Sequence, residues 1–263
     1  MLSLALCCAL LTTASGVQIE LLPGERLTPL LPADPLETAN SLTFRGGEPP
    51  LEGVVGDTAG LLRLEAGDVA LQLELGAAIF LGFLPGESFT FGIATVDGLI
   101  RVPISLAWRD LRASLEWVHI SAHYADGVRY DSELPENTEG YSREHLRLLA
   151  AWELPWVQPY LGLRQLVHSI PQAPGLAVQT GLEAHGERSV TWYQAVDLAW
   201  AADTAWSTRA TYQGGLLLLR PEGRALRAGL VAFRGPARAG KRQGEHDAYL
   251  GGVLGFDWHG GWN

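Results

Sequence analysis

Beyond Cys8 the sequence has no cysteine, so most of the chain can carry no disulfide framework, thiol nucleophile or thiolate metal site. Long apolar runs are equally missing. After Gly16 no uninterrupted stretch reaches the roughly 20 residues that a membrane-spanning helix needs. Positive charge is in short supply, with 19 Lys and Arg against 29 Asp and Glu and a net charge of -10, which disfavours nucleic acid or any polyanion as the main partner. Lysine is nearly absent, since Lys241 is the only one and the other basic residues are arginine. No phosphate-cradling glycine loop, zinc-helix pair or dinucleotide fingerprint occurs, so no cofactor is expected.

What the chain does contain begins with a leader-like segment. The apolar run from Leu2 to Leu11 holds both Cys7 and Cys8 and is followed by Thr12, Thr13, Ala14, Ser15 and Gly16. This is the pattern of a secretory signal peptide over residues 1–16, cleaved after Ala14 or Gly16. It departs from the rule in lacking Lys or Arg before the apolar core. A lipoprotein anchor is the competing reading, but Leu4, Ala5 and Leu6 lack the small residue expected immediately before the cysteine. Residues 17–39, rich in Pro and Leu, are expected to be a periplasmic lead-in or a partial lumen plug.

From residue 40 the dominant signal is alternation. Val69, Leu71, Leu73 and Leu75 share one parity, with Gln72 and Glu74 on the other. That is period two, a strand with one apolar face. The pattern returns at Ile100 to Trp108, Leu111 to Trp117, Leu146 to Trp152, Leu176 to Leu182 and Leu226 to Ala232. It weakens in the last third, where Gln194 falls on the apolar parity. Tight turns at Glu65 to Asp68, Arg109 to Asp110, Glu153 to Trp156, His185 to Arg188 and Pro221 to Arg224 alternate with longer connections. The longer ones are Gly46 to Gly53, Pro85 to Asp97, Tyr124 to Gly140, Ser169 to Pro174 and Gly235 to Gly244; the short one at Ala201 to Thr204 breaks the rule. Short turns at one end and long loops at the other predict an all-β, transmembrane, antiparallel up-and-down barrel of about twelve strands over residues 40–258, placed in the bacterial outer membrane among its lipids. Trp108, Trp117, Trp152, Trp192, Trp200 and Trp206 fall near expected strand ends on the apolar parity, as interfacial girdles do.

On the opposite parity, charges recur at mid-strand: Glu74, Arg101, Arg112, Glu116, Arg147, Arg164, Glu183, Asp197, Arg209 and Arg227. In a membrane barrel these line the lumen, where arginines and carboxylates pair across strands. A soluble periplasmic β-barrel or sandwich with a binding role is the alternative architecture, its apolar parity facing an inner core instead.

A resemblance adds to this reading. Ala33-Asp34-Pro35-Leu36-Glu37, Gly56-Asp57, Arg101 to Arg109 and above all His119-Ile120-Ser121-Ala122-His123-Tyr124-Ala125-Asp126 resemble a family of bacterial outer-membrane barrels, domain-of-unknown-function family twelve hundred and seven. The likeness runs from about Ala33 to the end of the chain and implies an outer-membrane barrel with no established activity. Where that pattern has a second serine and a Leu-Gly-Asp run, this sequence has Ala122 and Tyr124-Ala125-Asp126-Gly127.

One constellation has chemical potential. His119, Ser121 and His123 share the parity of Leu115 and Trp117, which places them on the barrel exterior just beyond a girdle. Ser121 as nucleophile, with His119 or His123 as base and Asp126 orienting it, would make an outer-leaflet acyl hydrolase. A metal site on His119, His123 and Asp126 lacks a fourth ligand, and no metal is expected. The simpler reading is headgroup-level polar residues before an acidic loop, Asp126 to Glu144, that could meet divalent ions. On this view the protein is a structural barrel or a narrow pore, and not an enzyme.

Overall fold

The computed structural model describes residues 10–12, 16–85, 91–125, 140–186, 191–219, 225–238, 240–242 and 244–257. Two short strands, β1 (Leu10–Thr12) and β2 (Gln18–Leu21), precede the long ones. The rest are β3 (Asn40–Arg45), β4 (Leu51–Ala66), β5 (Val69–Pro85), β6 (Phe91–Trp108), β7 (Leu111–Tyr124), β8 (Tyr141–Trp152), β9 (Val157–Ile170), β10 (Leu176–Gly186), β11 (Trp192–Ala201), β12 (Thr208–Leu219), β13 (Ala225–Pro236) and β14 (His246–Asp257). From β3 to β14 each strand pairs antiparallel with its sequence neighbour, and β14 returns to β3. The sheet therefore closes as a twelve-stranded up-and-down barrel, with β2 added along the lower half of β4 through Gln18↔Glu65 and Leu21↔Leu62.

The parities fall as the alternation predicts. Leu71, Leu75, Ile100, Ile104, Leu115, Leu148, Leu226 and Leu230 are exposed on the outer face, while Glu74, Arg101, Glu116, Arg147, Asp197 and Arg227 are buried inside. Gln194, on the outward parity, is also exposed. The short connections, 67–68, 109–110 and 153–156 among them, gather at one end with Asn40 and Asp257; the longer ones gather at the other.

Four details differ from the sequence reading. First, the β5–β6 hairpin runs on to Pro85 and Phe91, so Pro85 to Asp97 is mostly strand and Asp97 lies buried inside the barrel. Second, the connection at Ala201 to Thr204 obeys the alternation of loop lengths: it opens on a 3-10 turn, Ala202–Thr204, and runs on to Ser207 before β12 begins. Ala205 and Trp206 there take positive φ. Third, Trp117 sits in mid-strand because β7 continues past the apolar belt into His119, Ser121 and His123. Trp108, Trp152 and Trp156 mark the short-turn end and are all exposed. Fourth, Glu144 belongs to β8 and not to a loop.

Candidate functional site

The lumen is occupied by the chain's own N-terminal segment. After β2, residues 23–38 leave the β4 edge and run inside the barrel, where Thr28, Leu31, Ala33, Asp34, Glu37 and Thr38 are almost fully buried. Of residues 17–39, Gln18–Leu21 pair with β4 as β2 and 23–38 fill the lumen. Gly60 allows the close approach, since a Cβ there would collide with Pro23, and Gly76 leaves room in the wall for the Arg101 side chain, which a Cβ would meet at 2.8 Å.

Polar wall residues hold the plug, which satisfies groups that burial would otherwise make costly. Glu74 on β5 accepts from the backbone N–H of Leu27 at 2.5 Å and of Thr28 at 3.1 Å. It also accepts from the Thr28 hydroxyl, from Gln72 Nε2 at 2.8 Å and from Ser105 at 3.2 Å. Glu37 lies between Arg26 at 3.1 Å and Arg101 at 3.0 Å. It accepts from the N–H of Leu31 and of Thr38 as well. Asp34 receives Arg147 at 3.1 Å and faces Arg209 at 3.8 Å. Burial opposes ionisation of Asp34, yet the guanidinium groups of Arg147 and Arg209 overcome it and hold the carboxyl down at about 2. Glu37 behaves alike: burial works against its charge, and Arg26 and Arg101 still keep it below the usual carboxylate range.

The ten expected lumen charges thus have several different partners. Glu74, Arg101, Arg147 and Arg209 engage the plug. Cross-wall pairing occurs at Arg101–Glu116, Arg147–Glu116 and Arg209–Asp197, each 3.8 Å. Arg227 makes a tight pair with Asp257, at 2.8 and 3.1 Å. Arg112 sits at the short-turn mouth, where it meets Glu153 at 2.6 Å. Glu183 is buried with neither carboxylate oxygen hydrogen-bonded, and the Arg164 Nε likewise finds no acceptor among the described residues. The roles of Asp34 and Glu37 were not foreseen from the sequence. The available signal was that from Pro29 to Glu37 they are the only charged residues in a run of Pro, Leu and Ala.

On the exterior, His119, Ser121 and His123 do share the outward face of β7, with Asp126 outside the described residues. His119 Nδ1 faces Glu144 Oε1 on β8 at 3.4 Å, and His168 on β9 approaches the same oxygen at 3.9 Å. Trp117 stacks against His119 with centroids 6.1 Å apart. Ser121 lies opposite Ser142 on β8 and Gly98 on β6. Residues two apart on a strand are about 7 Å apart at Cα, so His119 meets Glu144 across the sheet more readily than it meets Ser121. His123 is exposed at the loop end of β7. Glu144 reads as loop because the acidic run conceals where β8 starts, and His168 on β9 meets it only through the β8–β9 register. Extending the Leu146 parity two steps upstream would have placed Glu144 on the outer face. Among the described residues no group of three or more His, Cys, Asp or Glu is placed to hold a metal ion. No family model, curated protein or solved structure matches the chain.

Proposed function

We propose that this protein is an outer-membrane β-barrel sealed by its own residues 23–38, a structural barrel closed at rest and not an open pore. The observation that carries this reading is the inverted distribution of polarity. Leucine, isoleucine, valine and tryptophan side chains stand exposed around the outside, while arginines and carboxylates fill the inside. Leaving one large apolar side chain in water forgoes roughly 1.5–3 kcal/mol, so an exterior covered with them needs a lipid solvent; a soluble lipocalin-like barrel has the opposite arrangement. The leader-like residues 1–16 would direct export, and outer-membrane lipids would be the partner of the outer face. Membership in the family of unknown function named above belongs to the same proposal. The mature protein is expected to partition with the outer membrane and to migrate faster on gels when unboiled. Recovery in the soluble periplasmic fraction would overturn the reading.

The His119–Glu144 contact favours a second reading, hydrolysis of outer-leaflet lipid esters with Ser121 as nucleophile. A carboxylate on Nδ1 orients an imidazole so that Nε2 can act as base. Under this reading Ser121→Ala abolishes release of fatty acid from lipid vesicles while heat-modifiable migration persists. Equal, background-level release from wild type and variant leaves only the structural role.

A further inference from the structure

Above the plug, at the loop end of the lumen, lies a cavity of about 150 Å³. Its polar side carries four arginines, Arg143, Arg164, Arg209 and Arg238, against two aspartates, Asp97 and Asp203. Its apolar side is formed by Leu36 of the plug together with Phe80, Ile120 and Leu166. The four guanidinium groups are not equally engaged. Arg238 pairs with Glu52 at 3.6 Å and lies over the Phe80 ring at 4.6 Å. Arg143 donates to the carbonyl oxygens of Ser142, Ile170 and Pro171. Arg209 reaches Asp34 and Asp197 only at 3.8 Å, and its Nε and one Nη find no hydrogen-bond partner among the described residues.

Arg164 makes no ion pair among the described residues, and its Nε has no acceptor. Moreover, Arg164 stands directly opposite Arg147 in the β8–β9 ladder, and like charges placed so repel. Asp34 from the plug offsets Arg147 and Arg209. Arg164 is thus left without a contact ion pair among the described residues, and it lines the pocket together with Leu36, Phe80 and Leu166.

We propose that this vestibule binds a small organic carboxylate, its acid group forked onto Arg164 and Arg209 and its apolar body packed on Leu36, Phe80 and Leu166. A planar guanidinium with free N–H groups matches a carboxylate in two parallel hydrogen bonds. The size of the cavity sets the body, because about 150 Å³ is the volume that accommodates a benzene-sized ring. Leu36 forms part of the floor, so the ligand enters from the loop end and stops there, as in a receptor and not a conduit.

Benzoate is a suitable probe, tested by calorimetry on the full-length barrel in detergent, with benzyl alcohol and inorganic phosphate as comparators. Saturable benzoate binding is expected, with both comparators at least about tenfold weaker because each lacks one half of the recognition. Arg164→Gln, checked for heat-modifiable migration, should weaken benzoate by about tenfold or more. If that variant does not fold, Ala201→Phe carries the test: it fills the cavity from the end of β11, leaves the arginines in place and should abolish binding. A folded barrel that shows no saturable benzoate binding overturns the proposal. So does phosphate binding as tight as benzoate, or wild-type affinity in a folded variant. Failure of the membrane reading would show in fractionation instead, so the two outcomes stay distinct.

Discussion

Replacing Glu37 by glutamine is expected to undock residues 23–38 from the lumen and open the barrel. Glu37 is a buried carboxylate clasped by Arg26 from the plug and Arg101 from β6, and it also organises the plug backbone at Leu31 and Thr38. Taking the charge away leaves the buried Arg26 without its ion-pair partner and Arg101 with only Glu116 at 3.8 Å, and removing one member of a buried pair costs about 3–5 kcal/mol. Neutralising Asp34 as well, with Asp34→Asn, strips Arg147 of its nearest partner. The two effects will not simply add, because Arg101 and Arg147, which the two carboxylates hold, share Glu116. The wall does not depend on the plug for closure, since β3 to β14 pair directly with one another around the ring. The variant should therefore assemble and migrate heat-modifiably, yet conduct in planar bilayers where the wild type stays closed. The scarcity of cysteine offers a second readout. With Cys7 and Cys8 changed to serine, a single Ala33→Cys reporter, nearly inaccessible in the parent at 1% exposure, should react with maleimide rapidly only in the Glu37→Gln background. A closed, unreactive variant would mean that Glu37 does not hold the plug.

The wall of this barrel was legible in the sequence because side-chain alternation is local. Val69 to Leu75 or Leu111 to Trp117 declare an apolar face within seven residues, and the tight turns at Asp68 and Asp110 set the hairpins. Interior placement of Glu74, Arg101, Glu116 and Arg227 followed from the same parity. Contacts between distant segments left no such trace. The Thr28–Glu74 contacts join residues 46 apart, and Arg147–Asp34 joins residues 113 apart, so nothing in a short window announces that the Pro/Leu segment belongs inside. The β5–β6 hairpin looked shorter than it is because Gly82, Pro85 and Gly92 imitate loop composition while the backbone stays paired. For the exterior row, residue types on β7 were readable, but the pairing of His119 with Glu144 depends on cross-strand register. That register lies beyond a long connection whose length sequence does not translate into alignment. The Arg164 vestibule required the plug first, since Leu36 is part of its floor and Asp34 accounts for the neighbouring guanidinium groups.

Acid should open the barrel as surely as mutation does, and reversibly. A carboxyl group held below its usual value in the folded protein binds fewer protons there than in the released state. Its stabilising contribution is therefore complete above the usual value and disappears as pH falls through the lowered one. Asp34, usually 3.8 and lowered to about 2, and Glu37, lowered from 4.5, both follow this rule. Their clasp on the plug should be intact at neutral pH and fade between about pH 4.5 and pH 2. The partners push the same way. Burial works against the charge on Arg26, but Glu37 and Glu74 outweigh it and raise that guanidinium further, and arginines keep their charge throughout this range. Once Asp34 and Glu37 are protonated, Arg26, Arg101, Arg147 and Arg209 face one another across the lumen with fewer anions between them, and repulsion drives the plug out. Bilayer conductance should rise from its closed level as the bath goes from about pH 7 to about pH 3 and fall again on neutralisation. In the Asp34→Asn/Glu37→Gln double variant, conductance should already be high at neutral pH and respond little to acid. A wild-type barrel that stays shut down to about pH 2 would show that the plug is held by packing of Leu30, Leu31 and Ala33, and not by its two carboxylates.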